Sequence, residues 1–277
     1  MILRQNNYLK RMPINCTVAL NDIDQSDFHD IDQKITGWAF EIHNTHGRLL
    51  NEKAYQNALL KQSMQNDLSC TKEVEIKVTH ENFSKSFFLD LLMHSSIIYE
   101  IKASLGISAS NEAQLLNYLL LSNSRHGKII NFGTASVTHR FISTSLSHDA
   151  RQNYNINKTQ WRDLTDYCPS IRATVNNLLA DWGSHLSVNL YKEALLHLLD
   201  GQQNFTTEVD LVINENLVGT QTVSLIDKGT ALHISAITKE LHYYQTHLLR
   251  FLKSTKLNHI QWVNFNGHNI QFATLSK

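Results

Sequence analysis

The two halves of this chain repeat one order of sequence patterns, and this repetition restricts the possible folds more than any other feature. Two unrelated units of the same class would not be expected to share several short matches in one order. Four such matches occur in order along the two halves: His46-Gly47 with Trp182-Gly183, Tyr55–Leu60 with Tyr191–Leu196, Glu73–Ile76 with Glu208–Leu211, and Ile130–Gly133 with Val263–Asn266. We therefore interpret the chain as a duplicated fold.

Hydrophobic spacing predicts the same elements in both halves: a helical segment, three strands, a second helix and two further strands. In the first half these segments cover residues 31–64, 73–78, 86–93, 96–102, 111–122, 128–132 and 137–142. In the second half they cover residues 171–199, 207–213, 220–226, 231–237, 239–254, 259–265 and 270–274. The pattern predicts an α/β fold with an α-β-β-β-α-β core, present twice.

A polar stretch that contains Pro169 separates the two halves and predicts a linker. The sequence then divides into four parts: an N-terminal extension without an interpretable motif, a first domain, the linker and a second domain. The boundaries that we expect are residues 1–30, 31–147, 148–170 and 171–277.

The composition limits what the chain can bind. Among its 277 residues, 25 Lys and Arg balance 25 Asp and Glu. A balanced chain has no overall field that attracts a polyanion, so binding of nucleic acid would need a local patch. The three cysteines are far apart and predict a reducing compartment. No apolar run is long enough to span a membrane, and we expect a soluble, cytoplasmic protein without a membrane partner.

Two carboxylates interrupt apolar strands of the first half. Asp90 lies within Phe87–Leu92, and Glu100 lies within Ile97–Ile101. An ionised carboxylate in a buried strand is costly unless it is paired or binds a metal. Because side chains alternate along a strand, Glu100 and Lys102 share a face. The alternative interpretation is an ordinary ion pair between Glu100 and Lys102. The presence of Asp90 on the preceding strand makes this interpretation less favoured.

The residue types favour phosphodiester chemistry with a divalent cation. Hard oxygen ligands suit Mg²⁺, with Mn²⁺ as an alternative. We expect Asp90, Glu100 and the carbonyl of Ile101 to be ligands, and Lys102 to assist the attacking water.

Further polar residues are expected around this site. Gln114 and Tyr118 are four apart and share a helix face. Glu52 is a candidate outer ligand or water-positioning residue, and Lys128 and Arg140 are candidate phosphate contacts. Taken singly, Tyr118 is also explained as a core tyrosine. Glu52, Lys128 and Arg140 are each also explained as an ordinary surface charge.

Several segments of the first half together resemble one family. They are Phe40–His43, Gly47–Tyr55, Leu89–Leu92, Tyr99–Ala103, Asn111–Leu119 and His126–Gly133. In this order they resemble the GxxExxY proteins, a branch of the PD-(D/E)XK nuclease superfamily. The resemblance implies a restriction-endonuclease-like core in which the acidic residues bind magnesium and the lysine assists the water. Leu49 departs from the pattern, because the family has glycine there.

The same resemblance extends to the second helix of the first half. The Gln-x-x-x-Tyr pattern of Gln114 and Tyr118 is similar to the fourth motif of RecB-type exonucleases. In those proteins this motif contacts DNA or supports the site, and the resemblance implies the same roles here.

The second half lacks nearly every chemical group of the first. At the positions of Asp90, Glu100, Lys102, Gln114 and Glu52 it has Ser224, His233, Ser235, His247 and Val188. We expect a degenerate repeat and one competent site per chain. The second half would then be a structural partner or a substrate-binding surface, and the chain an internal pseudo-dimer. The alternative is a new site that uses His233, His242 and His247.

The sequence therefore predicts a metal-dependent nuclease. DNA is the expected substrate by analogy with the superfamily, and RNA is an alternative. The competing functions are a catalytically silent nucleic-acid-binding or assembly protein, and a toxin or defence component that needs a partner chain.

Overall fold

The computed structural model describes residues 13–21, 23, 25–200 and 205–277. The chain forms two compact units, the first ending at Ser143 and the second beginning at Thr144. Each unit contains one six-stranded mixed sheet with helices, so the predicted α/β fold class is confirmed. Within the described ranges, no helix is long and apolar enough to cross a membrane.

The first unit has three helices and six strands among its described residues. They are β1 (Ile14–Cys16), α1 (Gln25–His46), α2 (Glu52–Gln65), β2 (Cys70–His80), β3 (Phe83–Met93), β4 (Ile97–Lys102), α3 (Ala109–Ser122), β5 (His126–Asn131) and β6 (Thr138–Ser143). The strands lie in the order β1-β2-β3-β4-β5-β6. Among these described strands, β4 and β5 form the parallel pair, and α3 is the crossover that this pairing requires.

The second unit repeats this arrangement. Its elements are α4 (His148–Gln152), β7 (Asn155–Gln160), α5 (Tyr167–Trp182), α6 (Val188–Asp200), β8 (Thr206–Ile213), β9 (Asn216–Asp227), β10 (Thr230–Ser235), α7 (Leu241–Lys253), β11 (His259–Asn266) and β12 (Asn269–Ser276). The strand order is β7-β12-β11-β10-β9-β8, with β10 and β11 parallel. Five strands correspond between the units, and the sixth is added at opposite ends of the two sheets.

The predicted continuous helix of each half is two helices in the structure. Gly47 and Gly183 end the first helix of each pair with φ of 71° and 75°, a conformation that glycine adopts without steric cost. In the first unit, the side chain of Asn51 then accepts a hydrogen bond from the Ala54 amide and caps α2. Hydrophobic spacing continues across both breaks, and this continuity explains why the sequence pattern indicated one helix.

The segment expected to be a linker, residues 148–170, has regular structure. It contains α4 and β7, and β7 pairs in parallel with β12 at the edge of the second sheet. Most residues of β7 are exposed, so the strand lacks the apolar alternation by which buried strands are recognised. The expected N-terminal extension, residues 1–30, lies partly outside the described residues. Its described part includes β1, which pairs with β2.

A buried tyrosine makes the same contacts in both units. The Tyr55 hydroxyl donates to the Gly47 carbonyl at 2.7 Å, and its ring stacks on Phe132 with centroids 4.1 Å apart. In the second unit, Tyr191 donates to the Gly183 carbonyl and stacks on Phe265 with centroids 4.5 Å apart. In each unit the tyrosine ties the helix break to the end of a central strand.

A buried asparagine is also shared. Asn131 accepts from the Ser104 amide and donates to the Ser104 carbonyl, both at 3.0 Å. Asn264 makes the same pair of bonds to Ile237, at 2.7 and 2.9 Å. Together with the tyrosine contacts, these bonds support the duplication that was predicted from the sequence.

The core of the first unit uses the side chains on one face of β3 and β4, which leaves those on the other face for the candidate site. Leu91, Tyr99 and Ile101 pack with residues of α1 and α2 in one buried cluster. Because side chains alternate along β3 and β4, Asp90, Glu100 and Lys102 point to the opposite face, on the side of α3.

Candidate active site

Asp90 and Glu100 lie side by side where β3 and β4 separate. Regular pairing of these strands ends at Leu91 and Tyr99, and the same register places Asp90 opposite Glu100. Beyond that point, Asp90 Oδ2 accepts a hydrogen bond from the Ile101 amide at 2.7 Å. The side chain thus continues the contact between the strands and is held beside Glu100.

Glu100 is the buried centre of the site, with 1% of its surface exposed. Its Oε1 accepts from Lys102 Nζ at 2.6 Å and from Gln114 Nε2 at 2.8 Å. Its Oε2 is buried and has no hydrogen-bond partner among the described residues. A buried carboxylate oxygen without a donor is unfavourable unless a cation or water binds it.

The helix α3 contributes polar side chains to the site. A capping box between Ser108 and Asn111 fixes its first turn. Gln114, one turn further on, bonds both Glu100 and the Tyr118 hydroxyl, the latter at 2.9 Å. The structure therefore brings together Gln114, Tyr118 and Glu100 in one hydrogen-bonded chain.

Glu52 approaches the site from the start of α2. Its Oε1 accepts from the Ala103 amide at 3.2 Å, just after the end of β4. Its charge raises the pKa of Asp90 and of Glu100. Glu52 therefore adds a third carboxylate to the neighbourhood without touching Lys102 in the hydrogen-bond network.

The electrostatics of the site show an excess of negative charge. Burial and then the neighbouring Asp90 raise the pKa of Glu100 to about 7, against the opposing effect of Lys102. Burial also raises the pKa of Asp90, while the Ile101 amide and Lys102 oppose the rise. Burial by itself would lower the pKa of Lys102, but the bond to Glu100 and the charges of Glu100, Glu52 and Asp90 together outweigh it, and the pKa is raised. One ammonium faces several carboxylates, an arrangement that a divalent cation would balance.

The donor set fits Mg²⁺. The Lys102 carbonyl accepts from the Phe132 amide on the β5 side. Backbone groups alternate sides along a strand, so the Ile101 carbonyl points to the β3 side, where Asp90 lies. Two carboxylates and a carbonyl are hard oxygen ligands, and Mg²⁺ commonly keeps several waters besides such a set. The described residues contain no cluster of three or more His, Cys, Asp or Glu side chains arranged around one point.

Lys128 and Arg140, the expected phosphate contacts, have different surroundings. Lys128 is buried, and its ammonium bonds Asp32 Oδ2 at 2.7 Å and Thr36 Oγ1 at 2.8 Å. It joins β5 to α1 and does not face an incoming phosphate, which corrects the expectation from sequence. Arg140 is exposed on β6 and pairs with Glu112 at 3.1 Å.

This ion pair gives a prediction that separates stability from catalysis. Replacing Lys128 with methionine leaves Asp32 with one cationic partner fewer, and we expect a loss of about 3–5 kcal/mol of unfolding free energy. Urea denaturation measures it, with the exposed Lys61→Met as the control. Cleavage per folded molecule should stay at the wild-type rate. A cleavage defect without a stability defect would instead indicate that Lys128 contacts the substrate phosphate, as expected from the sequence.

The second unit has different chemistry at the corresponding positions. His233, at the position of Glu100, bonds the Tyr244 hydroxyl at 2.8 Å, and burial lowers its pKa to about 4. Ser235, at the position of Lys102, donates to Asn264 at 2.7 Å and accepts from Trp262 Nε1 at 2.8 Å. At these two positions, neutral side chains that bond neutral neighbours replace the charged Glu100 and Lys102 of the first unit.

The alternative three-histidine site is not formed. His242 and His247 are exposed on α7, and the ring centroids of His247 and Tyr243 are 4.3 Å apart. His233 is instead largely buried and bonded to Tyr244. The described part of this unit contains no cluster of three or more such side chains that could hold a metal ion.

Sequence reasoning missed one acidic residue beside the site. The β2–β3 ladder pairs Lys72 with Leu91 and Val74 with Leu89, which places Glu73 opposite Asp90. The charge of Glu73 contributes to the raised pKa of Asp90, after burial and Glu52. The spacing of the strand sequence gave no signal for it, because a charged residue at the start of a strand is common.

Comparison with known proteins gives one match. Residues 29–142 match the model of the PD-(D/E)XK nuclease superfamily, a segment that contains all the expected site residues. The match supports the superfamily and does not distinguish its GxxExxY branch. No curated protein and no solved structure matches the chain. Residues 29–142 are therefore similar to the PD-(D/E)XK nuclease superfamily.

Proposed function

We propose that the first unit is a Mg²⁺-dependent nuclease that hydrolyses phosphodiester bonds of DNA, with one competent site per chain. Nucleases of this superfamily act on phosphodiester bonds with divalent metals, and this much follows from the family match. The observation that carries the proposal is the buried Glu100. Its Oε2 has no donor in the part of the chain that the structure describes, while Asp90 lies beside it and Lys102 bonds the other oxygen.

Asp90, Glu100 and the Ile101 carbonyl would hold the cation. When bound, Mg²⁺ supplies positive charge to the phosphate and lowers the pKa of a water. Gln114 keeps Glu100 in place through its 2.8 Å bond, and Tyr118 orients Gln114 in turn. Glu52 fixes the chain after β4 by its bond to the Ala103 amide.

Lys102 acts as a cationic donor in this proposal. Burial opposes the charge, but the bond to Glu100 and the neighbouring carboxylates together raise the pKa of Lys102, so the side chain stays protonated at neutral pH. A protonated amine cannot take a proton from water, but it can orient the attacking water and stabilise charge that develops on the phosphate. Mn²⁺ would support the same roles, because it accepts the same oxygen ligands.

DNA is the proposed substrate by superfamily analogy, and RNA is the alternative. The exposed Arg140 remains a candidate for the phosphate backbone. We further propose that the second unit takes the part of a second subunit, as a structural or substrate-binding partner. Its preserved tyrosine and asparagine contacts support a retained fold, and its neutral His233 and Ser235 support the loss of catalysis.

The direct test compares wild type with Asp90→Asn on linear DNA, closed circular DNA and RNA, each with Mg²⁺, Mn²⁺ or EDTA. We expect cation-dependent cutting by the wild type that the variant has lost. Cutting of closed circles would identify an endonuclease, and cutting of linear DNA alone an exonuclease. If neither protein cuts any substrate, the proposal fails. A silent binding or assembly protein, or a defence or toxin component that needs a partner chain, would then be the better account.

A further inference from the structure

The backbone of β2 is unusual at one residue. Glu73 has a φ of 54°, in the left-handed region. Among the residues that the structure describes, it is the only non-glycine residue with positive φ inside a strand, since the others lie in turns, loops or at helix ends. This conformation is costly for a residue with a side chain, and bulges that need it ordinarily use glycine.

Packing does not explain the conformation. Glu73 is exposed, so its side chain gains no burial that would offset the strained backbone. Glycine at this position would avoid the cost altogether. Strain that is not compensated locally is concentrated at functional sites in proteins, which directs attention to the carboxylate itself.

The position of Glu73 connects it with the site. The β2–β3 register places it opposite Asp90, and the β3–β4 register places Asp90 opposite Glu100. Three carboxylates therefore form one row across three adjacent strands, with Glu73 at the exposed end.

We propose that Glu73 is an outer carboxylate of the acidic centre, which attracts the divalent cation and accepts hydrogen bonds from the waters that the cation keeps. The inference rests on the proposed function, since it assumes that Asp90 and Glu100 bind a cation. Glu73 is a positioning residue in this scheme and does not contact the reacting phosphate.

Two substitutions separate the carboxylate from the backbone. Glu73→Gln removes the charge and keeps the strain, whereas Glu73→Gly removes both. We expect both variants to need about tenfold more Mg²⁺ for half-maximal thermal stabilisation, the usual scale for loss of an outer-shell partner. Glu73→Gly should also melt at a higher temperature than wild type without metal.

Glu81 provides a matched control. It is an exposed glutamate with a φ of 49° in the β2–β3 turn, at the opposite end of β3 from Asp90. Glu81→Gly should raise the melting temperature without metal and leave the Mg²⁺ requirement unchanged. Asp90→Asn, as the positive control, should remove the Mg²⁺ effect.

The outcomes distinguish the inference from the function on which it rests. If both Glu73 variants respond to Mg²⁺ as the wild type does while Asp90→Asn does not, the inference is overturned and the cation site stands. If the wild type itself shows no Mg²⁺-linked stabilisation, the cation site fails and the inference with it. A shift in Glu73→Gly alone would assign the effect to the backbone and also overturn the role of the carboxylate.

Discussion

Replacing Lys102 with alanine should lower the rate of Mg²⁺-dependent cleavage by about 10²–10⁴-fold, the scale for loss of a positioned group that handles protons or charge. The ammonium is 2.6 Å from Glu100 Oε1 and forms an ion pair with it. Without it, the pKa of Glu100 should rise further above about 7. A proton then competes with the cation at neutral pH, so part of the lost Mg²⁺ binding should return as the pH is raised.

Single-turnover cleavage between pH 6 and pH 9 measures both effects. The control is Ser235→Ala, at the corresponding position of the second unit. The Ser235 hydroxyl bonds Asn264 and Trp262, which are both in the second unit, so we expect a less stable second unit and an unchanged cleavage rate per folded molecule. Equal losses in both variants would contradict the assignment of one competent site per chain.

Replacing Glu100 with glutamine should abolish cleavage and stabilise the metal-free protein at alkaline pH. Glu100 has a pKa of about 7 in the folded chain, above the ordinary value of 4.5. Between these two values the folded state binds the additional proton, so this group makes stability fall as the pH rises. Above pH 7 the full penalty is present, up to about 3 kcal/mol for a shift of this size. Glutamine keeps an acceptor for Lys102 and carries no such penalty.

Urea denaturation without metal, at pH 5 and at pH 8.5, tests this sign. The wild type should lose stability between the two pH values relative to Glu100→Gln, and saturating Mg²⁺ should restore it at pH 8.5 in the wild type only. If the glutamine variant is less stable than wild type at both pH values, Glu100 is a structural ion-pair partner of Lys102 and not a strained ligand.

The strands and α3 of the first unit could be predicted because their patterns are local. Alternation along β4 placed Glu100 and Lys102 on one face, and the helical spacing placed Gln114 and Tyr118 together. The break at Gly47 could not be predicted in the same way, because apolar spacing continues across it. The strand β7 was missed since it is a polar edge strand whose partner, β12, lies more than a hundred residues further along the chain.

The role of Lys128 could not be predicted because its partner is distant in sequence. Asp32 is 96 residues away, and nothing in the local pattern distinguishes a lysine that bonds a helix from one that faces solvent. Glu73 was missed for a related reason. Its relation to Asp90 depends on strand register, and its left-handed backbone leaves no signature in the residue type.

The central claim is that the paired carboxylates of the first unit bind a divalent cation used for phosphodiester cleavage. The most direct measurement follows melting temperature and DNA cutting in the same samples of wild type and Asp90→Asn as Mg²⁺ is added. The account predicts that both rise together in the wild type, are reversed by EDTA, and are absent in the variant. Cutting that persists in Asp90→Asn, or that EDTA does not stop, would contradict it.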